Sequence, residues 1–177
     1  MGQSKTIFQR FYYMNKLQLI EKLVLTPHVE GGYFTRTYCS TVNTNASNAS
    51  KPRVLLSSIF YMLTDDRPIG YWHRNVSDII HYFHCGSPLT YWIIRPDGVL
   101  EKKWLGLDLD RGQQLQLIVP GGCWKATELE TGEFALISEA VSPGFDYEDM
   151  ELADEHVMKT HYPHLWDQIS KYVKPKP

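Results

Sequence analysis

DIIHYFHCGSPLTYWIIRPDGVLEKKWL, residues 78–105, decides the fold. It contains three apolar runs, DIIHYFH (78–84), LTYWII (89–94) and VLEKKWL (99–105), separated by Cys85-Gly86-Ser87-Pro88 and Arg95-Pro96-Asp97-Gly98. Short runs rich in β-branched and aromatic residues, bounded by Gly, Pro and Asp, read as strands joined by tight turns. Such gaps hold no crossover helix, so a parallel βαβ sheet is excluded.

The same pattern extends both ways. VLLSSIFYML (54–63), LQLIVP (115–120) and EFALISEAV (133–141) are further β runs, with turn signals at Asp65-Asp66-Arg67-Pro68, Gly121-Gly122 and Glu130-Thr131-Gly132. Many short strands without intervening helices predict an all-β dominated antiparallel sandwich or barrel. Upstream, HVEGGYFTRTYCS carries a Gly-Gly pair and then an alternating aromatic strand through Tyr33 and Tyr38, while TVNTNASNASKP reads as a mobile surface loop. In NKLQLIEKLVL, Leu17, Ile20, Leu23 and Val24 fall at helical spacing, Asn15 is a cap and Pro27 a stop, predicting a helix over about 16–25. From Asp146 an apolar pattern of helical type returns, with Pro163 dividing two helices that close one side or end of the β domain. Residues 1–14, including Phe11-Tyr12-Tyr13, form an extension, and 15–177 make one domain.

Bulk properties narrow the partners. The 18 Lys and Arg against 20 Asp and Glu are mixed along the chain and leave a formal charge of -2, so the clustered basic surface of a nucleic-acid binder is missing. Three widely spaced cysteines, Cys39, Cys85 and Cys123, make neither a disulfide framework nor a zinc knuckle and suggest a reducing, cytoplasmic setting. Sequons at Asn45, Asn48 and Asn75 matter only in a secreted chain. Met1-Gly2-Gln3-Ser4-Lys5-Thr6 fits the N-myristoylation pattern, so membrane association is expected only if Gly2 is acylated.

Chemistry concentrates in YWHRNVSDIIHYFHCG (71–86), which holds three of the seven histidines, His73, His81 and His84, with Asn75 and Asp78. His81 shares strand parity with Ile79 and points inward, whereas His84 has the opposite parity and is structural or interfacial. His28 carries no signal of its own, and His156, His161 and His164 read as surface or helix-end residues. Cys123 reads as a buried, inert thiol.

PHVEGGYFTRTY, SSIFYMLT, WHRNVSD, HYFHCGSPL, LGLDLDRGQQLQLIVPGGCW and VSPGFDYEDMELAD together resemble the small single-domain cupins of the DUF985 (Cupin_5) type over about 16–170. The resemblance implies an RmlC-like jelly roll, a homodimer, and a small-molecule pocket at the barrel mouth. In the cupin motifs His73 matches the first histidine, Gly86 the closing glycine, and Pro120-Gly121-Gly122 the Pro-x-Gly. At the remaining metal-ligand positions stand Asn75, Ile79 and Lys125, in place of His, Glu and His. The resemblance also puts Glu139 where relatives more often have a small residue or Cys.

The expectation is therefore a small-molecule-binding cupin without a cofactor, with isomerase, epimerase or lyase activity. His73 or His81 is the acid-base group, Glu139 a tuned carboxyl, and Lys125 or Tyr61 polarises a carbonyl or returns the proton. Glu30, Tyr33, Asn75, Asp78, Phe83, Trp92 and Trp124 are the ligand-binding candidates. A non-catalytic binding or storage cupin is one alternative. Another is a metal-dependent oxygenase or lyase in which His73, His81 and Glu139 converge on a divalent ion.

Overall fold

The computed structural model describes residues 14–45 and 51–176; the Gly2 pattern, Phe11-Tyr12-Tyr13 and the Asn48 sequon lie outside them. Among these residues thirteen strands run in chain order as β1 (Thr26–Pro27), β2 (Tyr33–Cys39), β3 (Asn43–Thr44), β4 (Arg53–Val54), β5 (Ser57–Thr64), β6 (Ile69–Asn75), β7 (Asp78–Gly86), β8 (Leu89–Ile94), β9 (Leu100–Leu105), β10 (Gln116–Val119), β11 (Trp124–Glu128), β12 (Phe134–Ser142) and β13 (Met150–Leu152). One antiparallel sheet has the order β1-β2-β5-β12-β7-β10 and the other β13-β6-β11-β8-β9; β3 and β4 pair as a separate ribbon. That ribbon corrects the expectation that all of 41–52 is loop.

Three apolar clusters build the molecule in layers. Tyr61, Leu63, Leu89, Tyr91, Ile93, Leu117 and Ile137 fill the space between the two sheets. Behind the five-stranded sheet, Trp72, Ile94, Trp124 and Ala126 pack under Met158, Leu165, Ile169 and Tyr172 of the C-terminal segment. Behind the other sheet, Met62 and Leu136 pack under Leu19 and Leu25. Full burial of each large apolar side chain contributes roughly 1.5–3 kcal/mol, so the outer layers are as much part of the core as the barrel interior. Several strands are consequently apolar on both faces.

The N-terminal helix α1 (Lys16–Lys22) starts at an Asn15–Gln18 capping box and ends with Leu23 as its C-cap, earlier than expected. It stops because Val24 takes a left-handed φ of 53°, a conformation a β-branched residue does not carry within a helix. At the other end, residues 146–153 are not helical: a 3-10 turn, Tyr147–Asp149, leads into β13, which pairs with β6. Met150 and Leu152 are half-buried around an exposed Glu151, a strand alternation. Helix α2 (Glu155–His161) and α3 (Trp166–Ile169), separated by a 3-10 turn at Pro163–Leu165, then cover the sheet as expected, and the Trp72 indole N–H donates to the Ile169 carbonyl at 2.9 Å. No helix among the described residues is long and apolar enough to cross a membrane.

Candidate functional site

The barrel mouth opens on a pocket of about 430 Å³ of atom-free space, part of it open to solvent. Its polar wall is His28, Glu30, His73, Asn75 and Glu139; its apolar wall includes Phe34, Ile59, Ile79, Val141 and Phe145. Each strand contributes through alternation: His73 and Asn75 face inward from β6, while Trp72 between β6 neighbours faces the outer layer. Arg36, Ile59, Glu139 and His81 form one cross-strand row over β2, β5, β12 and β7.

Two polar clusters meet at this wall. In the first, Glu30 Oε2 lies 3.2 Å from His73 Nε2 and 3.4 Å from His28 Nδ1. His73 Nδ1 is 2.7 Å from the Tyr71 carbonyl, which accepts, so the ring proton sits on Nδ1 and the lone pair on Nε2. Burial, with the Lys125 charge added, depresses the His73 pKa despite the opposing pull of Glu30. Burial acts to raise Glu30, but His73 and His28 outweigh it and hold that carboxyl below its usual value. Gly31 and Gly32 turn the chain that presents Glu30, with φ of 99° and 64°; a Cβ on Gly31 would lie 2.0 Å from the Ile69 carbonyl oxygen. The Tyr61 hydroxyl donates to the Gly31 carbonyl at 3.0 Å, which makes Tyr61 a support of this turn.

The second cluster lies deeper. Lys125, 2% exposed, donates to His81 Nε2 at 2.8 Å and to Glu139 Oε2 at 3.4 Å, and His81 Nε2 is 3.4 Å from Glu139 Oε1. His81 Nδ1–H completes the network toward the Leu117 carbonyl at 3.3 Å, and the ring stands edge-on to Tyr91 at 5.0 Å. Desolvation and the neighbouring Lys125 push the His81 pKa down. For Glu139, burial is overcome by Lys125 and His81, leaving the carboxyl well below the usual range. This lysine–carboxylate–imidazole set is internally satisfied.

The structure thus gathers Glu30, His73, Asn75 and Glu139 at the pocket and places His81 and Lys125 behind that wall. The others fall elsewhere. Trp92 and Trp124, expected as pocket walls, belong to the outer layer, because their parity on β8 and β11 turns them toward the C-terminal helices. Tyr33 is likewise on the outer face, stacked under Arg67 and packed near α1, and it is Phe34 that points inward. Asp78 accepts from the Gly121 N–H at 2.8 Å and ties the start of β7 to the turn after β10. Phe83 packs on the inner core away from the mouth. His84 is exposed on the outer face against Phe60, as its parity predicted. Asn75 is buried in β6, so its sequon is not accessible in the folded chain. Cys123 is buried, which raises its thiol pKa. Sequence reasoning missed His28, Arg36, Ser57, Phe145 and Tyr147 at the pocket. For His28 the available signal was its position two residues before Glu30 in the Gly-Gly turn.

Two antiparallel sheets closed face to face around one apolar interior have the jelly-roll architecture of a cupin. The model of the Cupin_5 family, described as Cupin superfamily (DUF985), matches residues 17–153, and the chain belongs to that family. Uncharacterized protein YML079W of Saccharomyces cerevisiae is 39% identical over 145 residues, which is 75% of this chain and 72% of the yeast protein. Among solved structures, a hypothetical protein from Leishmania major superposes with a TM-score of 0.85 at 27% identity, covering 92% of this chain and 100% of the other. Protein SO0799 from Shewanella oneidensis gives 0.82 at 35% identity, covering 92% and 99%. Oxalate decarboxylase from Bacillus subtilis shares the fold, with a TM-score of 0.51 at 16% identity over 82% of this chain and 36% of that enzyme.

The donor set does not fit the metal centre that the cupin motifs imply. Among the described residues no three His, Cys, Asp or Glu side chains are grouped to hold an ion, so the alternative in which His73, His81 and Glu139 converge on a divalent ion is not met. The reason is Lys125: its ammonium takes the His81 lone pair and one Glu139 oxygen, and His73 turns its free nitrogen toward Glu30 instead.

Proposed function

We propose that this chain is a small-molecule-binding cupin that moves a proton at carbon without a metal, the chemistry of an isomerase or lyase. His73 is the base and Glu30 its partner. One observation carries this reading: His73 Nε2 is buried in the pocket wall with no hydrogen-bond partner among the described residues, 3.2 Å from a Glu30 oxygen. A lone pair facing a carboxylate is repulsive, and a proton added between them turns the contact into a charge-assisted hydrogen bond. Burial by itself disfavours charge on His73, and the Glu30 carboxylate is what lets the pair hold a proton taken from a bound substrate.

In the step proposed, Nε2 takes the proton from a carbon next to a carbonyl. The C–H electron pair moves into the carbonyl as an enolate, or expels a leaving group on the next carbon. Returning the same proton to another carbon completes an isomerisation; releasing it to water completes an elimination. A single base on one wall supports these over epimerisation, which needs donor and acceptor on opposite faces. Glu139, held ionised beside Lys125, stabilises His73 once it is charged.

The test is deuterium incorporation from D2O into a panel of small keto, hydroxy and amino acids, followed by proton NMR. Wild type is expected to exchange at least one compound, to keep doing so after chelator treatment, and to lose exchange on His73→Gln while still binding. Compounds that bind but are neither exchanged nor converted would make the protein a binding module and reject the reading. The homodimer is proposed as well, supported by exposed Leu107, Leu109, Leu115 and Ile118 between and along β9 and β10; sedimentation at one chain mass would reject it.

A further inference from the structure

The pocket carries a charge asymmetry that its acid-base pair does not use. β2 turns Phe34 and Arg36 to the barrel interior, and a register shift between Arg36 and Tyr38 ends that alternation beside the mouth. Bulges of this kind re-aim side chains. Arg36 is exposed there, lines the pocket, and makes no ion pair among the described residues. Directly across Ile59 in the same row stands Glu139, two strands away, or roughly 10 Å between backbones.

The opposite side of the pocket has the opposite character. Two carboxylates, Glu30 and Glu139, stand against one ammonium, Lys125. The Asn75 side chain is buried at the same wall, and its Oδ1 is enclosed without a donor among the described residues. An orphaned acceptor in a pocket calls for a donor from the ligand, because an unmatched buried polar atom is costly. A lone arginine fork at the mouth calls for an oxyanion. Ile59 stands between Arg36 and Glu139, and Phe34, Ile79, Val141 and Phe145 line the same pocket.

We propose that the pocket selects a small aminocarboxylate, with Arg36 holding its carboxylate at the mouth and Glu30 and the Asn75 Oδ1 accepting from its ammonium. This rests on the pocket being the functional site and names the ligand class for it. Arg36 is then the specificity-determining residue, separate from the base.

The experiment titrates the full chain with the standard L-amino acids and, for each, the matching deaminated acid and decarboxylated amine, read by calorimetry and ligand-observed NMR. At least one amino acid should bind more tightly than both of its halves. Arg36→Gln should weaken that amino acid and its deaminated acid by roughly tenfold to a hundredfold while leaving the amine unchanged. Asn75→Leu should do the reverse. Equal binding of the deaminated acid, indifference to Arg36→Gln in a folded variant, or no binding by any amino acid overturns the proposal. Binding through Arg36 with no deuterium exchange would sink only the catalytic reading. Exchange on a compound lacking a carboxylate, with Arg36→Gln unaffected, would sink only this one.

Discussion

Replacing Lys125 by Met keeps the length of the side chain and removes its charge. Lys125 and Glu139 are 2% and 9% exposed, and their 3.4 Å contact is joined by the 2.8 Å bond from Lys125 to His81. The variant leaves Glu139 as a buried carboxylate whose nearest remaining partner is the His81 ring, 3.4 Å away. Breaking one member of a buried pair costs about 3–5 kcal/mol, mostly because the survivor is uncompensated. In a chain of 177 residues that corresponds to a fall in Tm of roughly 6–20 °C. Adding Glu139→Gln removes the stranded charge, so the double variant should regain at least half of the loss. The single variant should also be penalised less at acidic pH, where His81 can take a proton and pair with Glu139. Urea and thermal denaturation followed by tryptophan fluorescence measure these changes, since Trp72 and Trp124 are buried. A Lys125→Met chain within about 1 kcal/mol of wild type, or a double variant no better than the single, would refute the electrostatic account.

Two further expectations concern the same wall. His73 and His81 are both depressed below 6.5 by burial, so in mild acid the unfolded chain binds protons that the folded chain refuses. Stability should therefore fall as pH drops through 6.5, by up to about 1.4 kcal/mol per pH unit for each histidine. Glu30 and Glu139, lowered from 4.5, should add a second loss below that pH as they are forced to protonate; a urea midpoint constant between pH 7.5 and pH 5 contradicts the histidine loss, and one constant from pH 5 down to pH 3 contradicts the carboxylate loss. Gly31→Ala should destabilise by about 2 kcal/mol or more, through left-handed strain and collision with the Ile69 backbone. An unchanged thermal midpoint would show that the turn presenting Glu30 is not fixed as described.

The strands legible in the sequence are those with ordinary spacing. DIIHYFH, LTYWII and EFALISEAV kept their β assignments, and the parity of His81 and His84 on β7 held. Of the strands that sequence reading passed over, β6 and β11 are the ones that bring His73 and Lys125 into the barrel. In each, a tryptophan packs outward beside a buried polar residue facing inward, so burial on both faces erases the alternation that marks a strand. The same two-sided burial explains the misplaced tryptophans, since aromatic character does not say which face of a sheet it serves. Met150 to Ala153 read as helix because their apolar residues fit either period, and pairing with β6 decided for strand. The wall of His28, Glu30 and His73 joins residues more than 40 positions apart and is visible only after the barrel closes.

Trp72 and His73, and again Trp124 and Lys125, are chain neighbours that the thickness of one sheet assigns to different jobs. The outward member of each couple anchors the shell; the inward member sets the chemistry. Such a barrel can be refitted from within, by exchange of interior residues such as those at 75, 79 and 125, while the anchors that hold its shape stay in place. The scaffold and its contents can diverge at separate rates, one residue apart along the same strand.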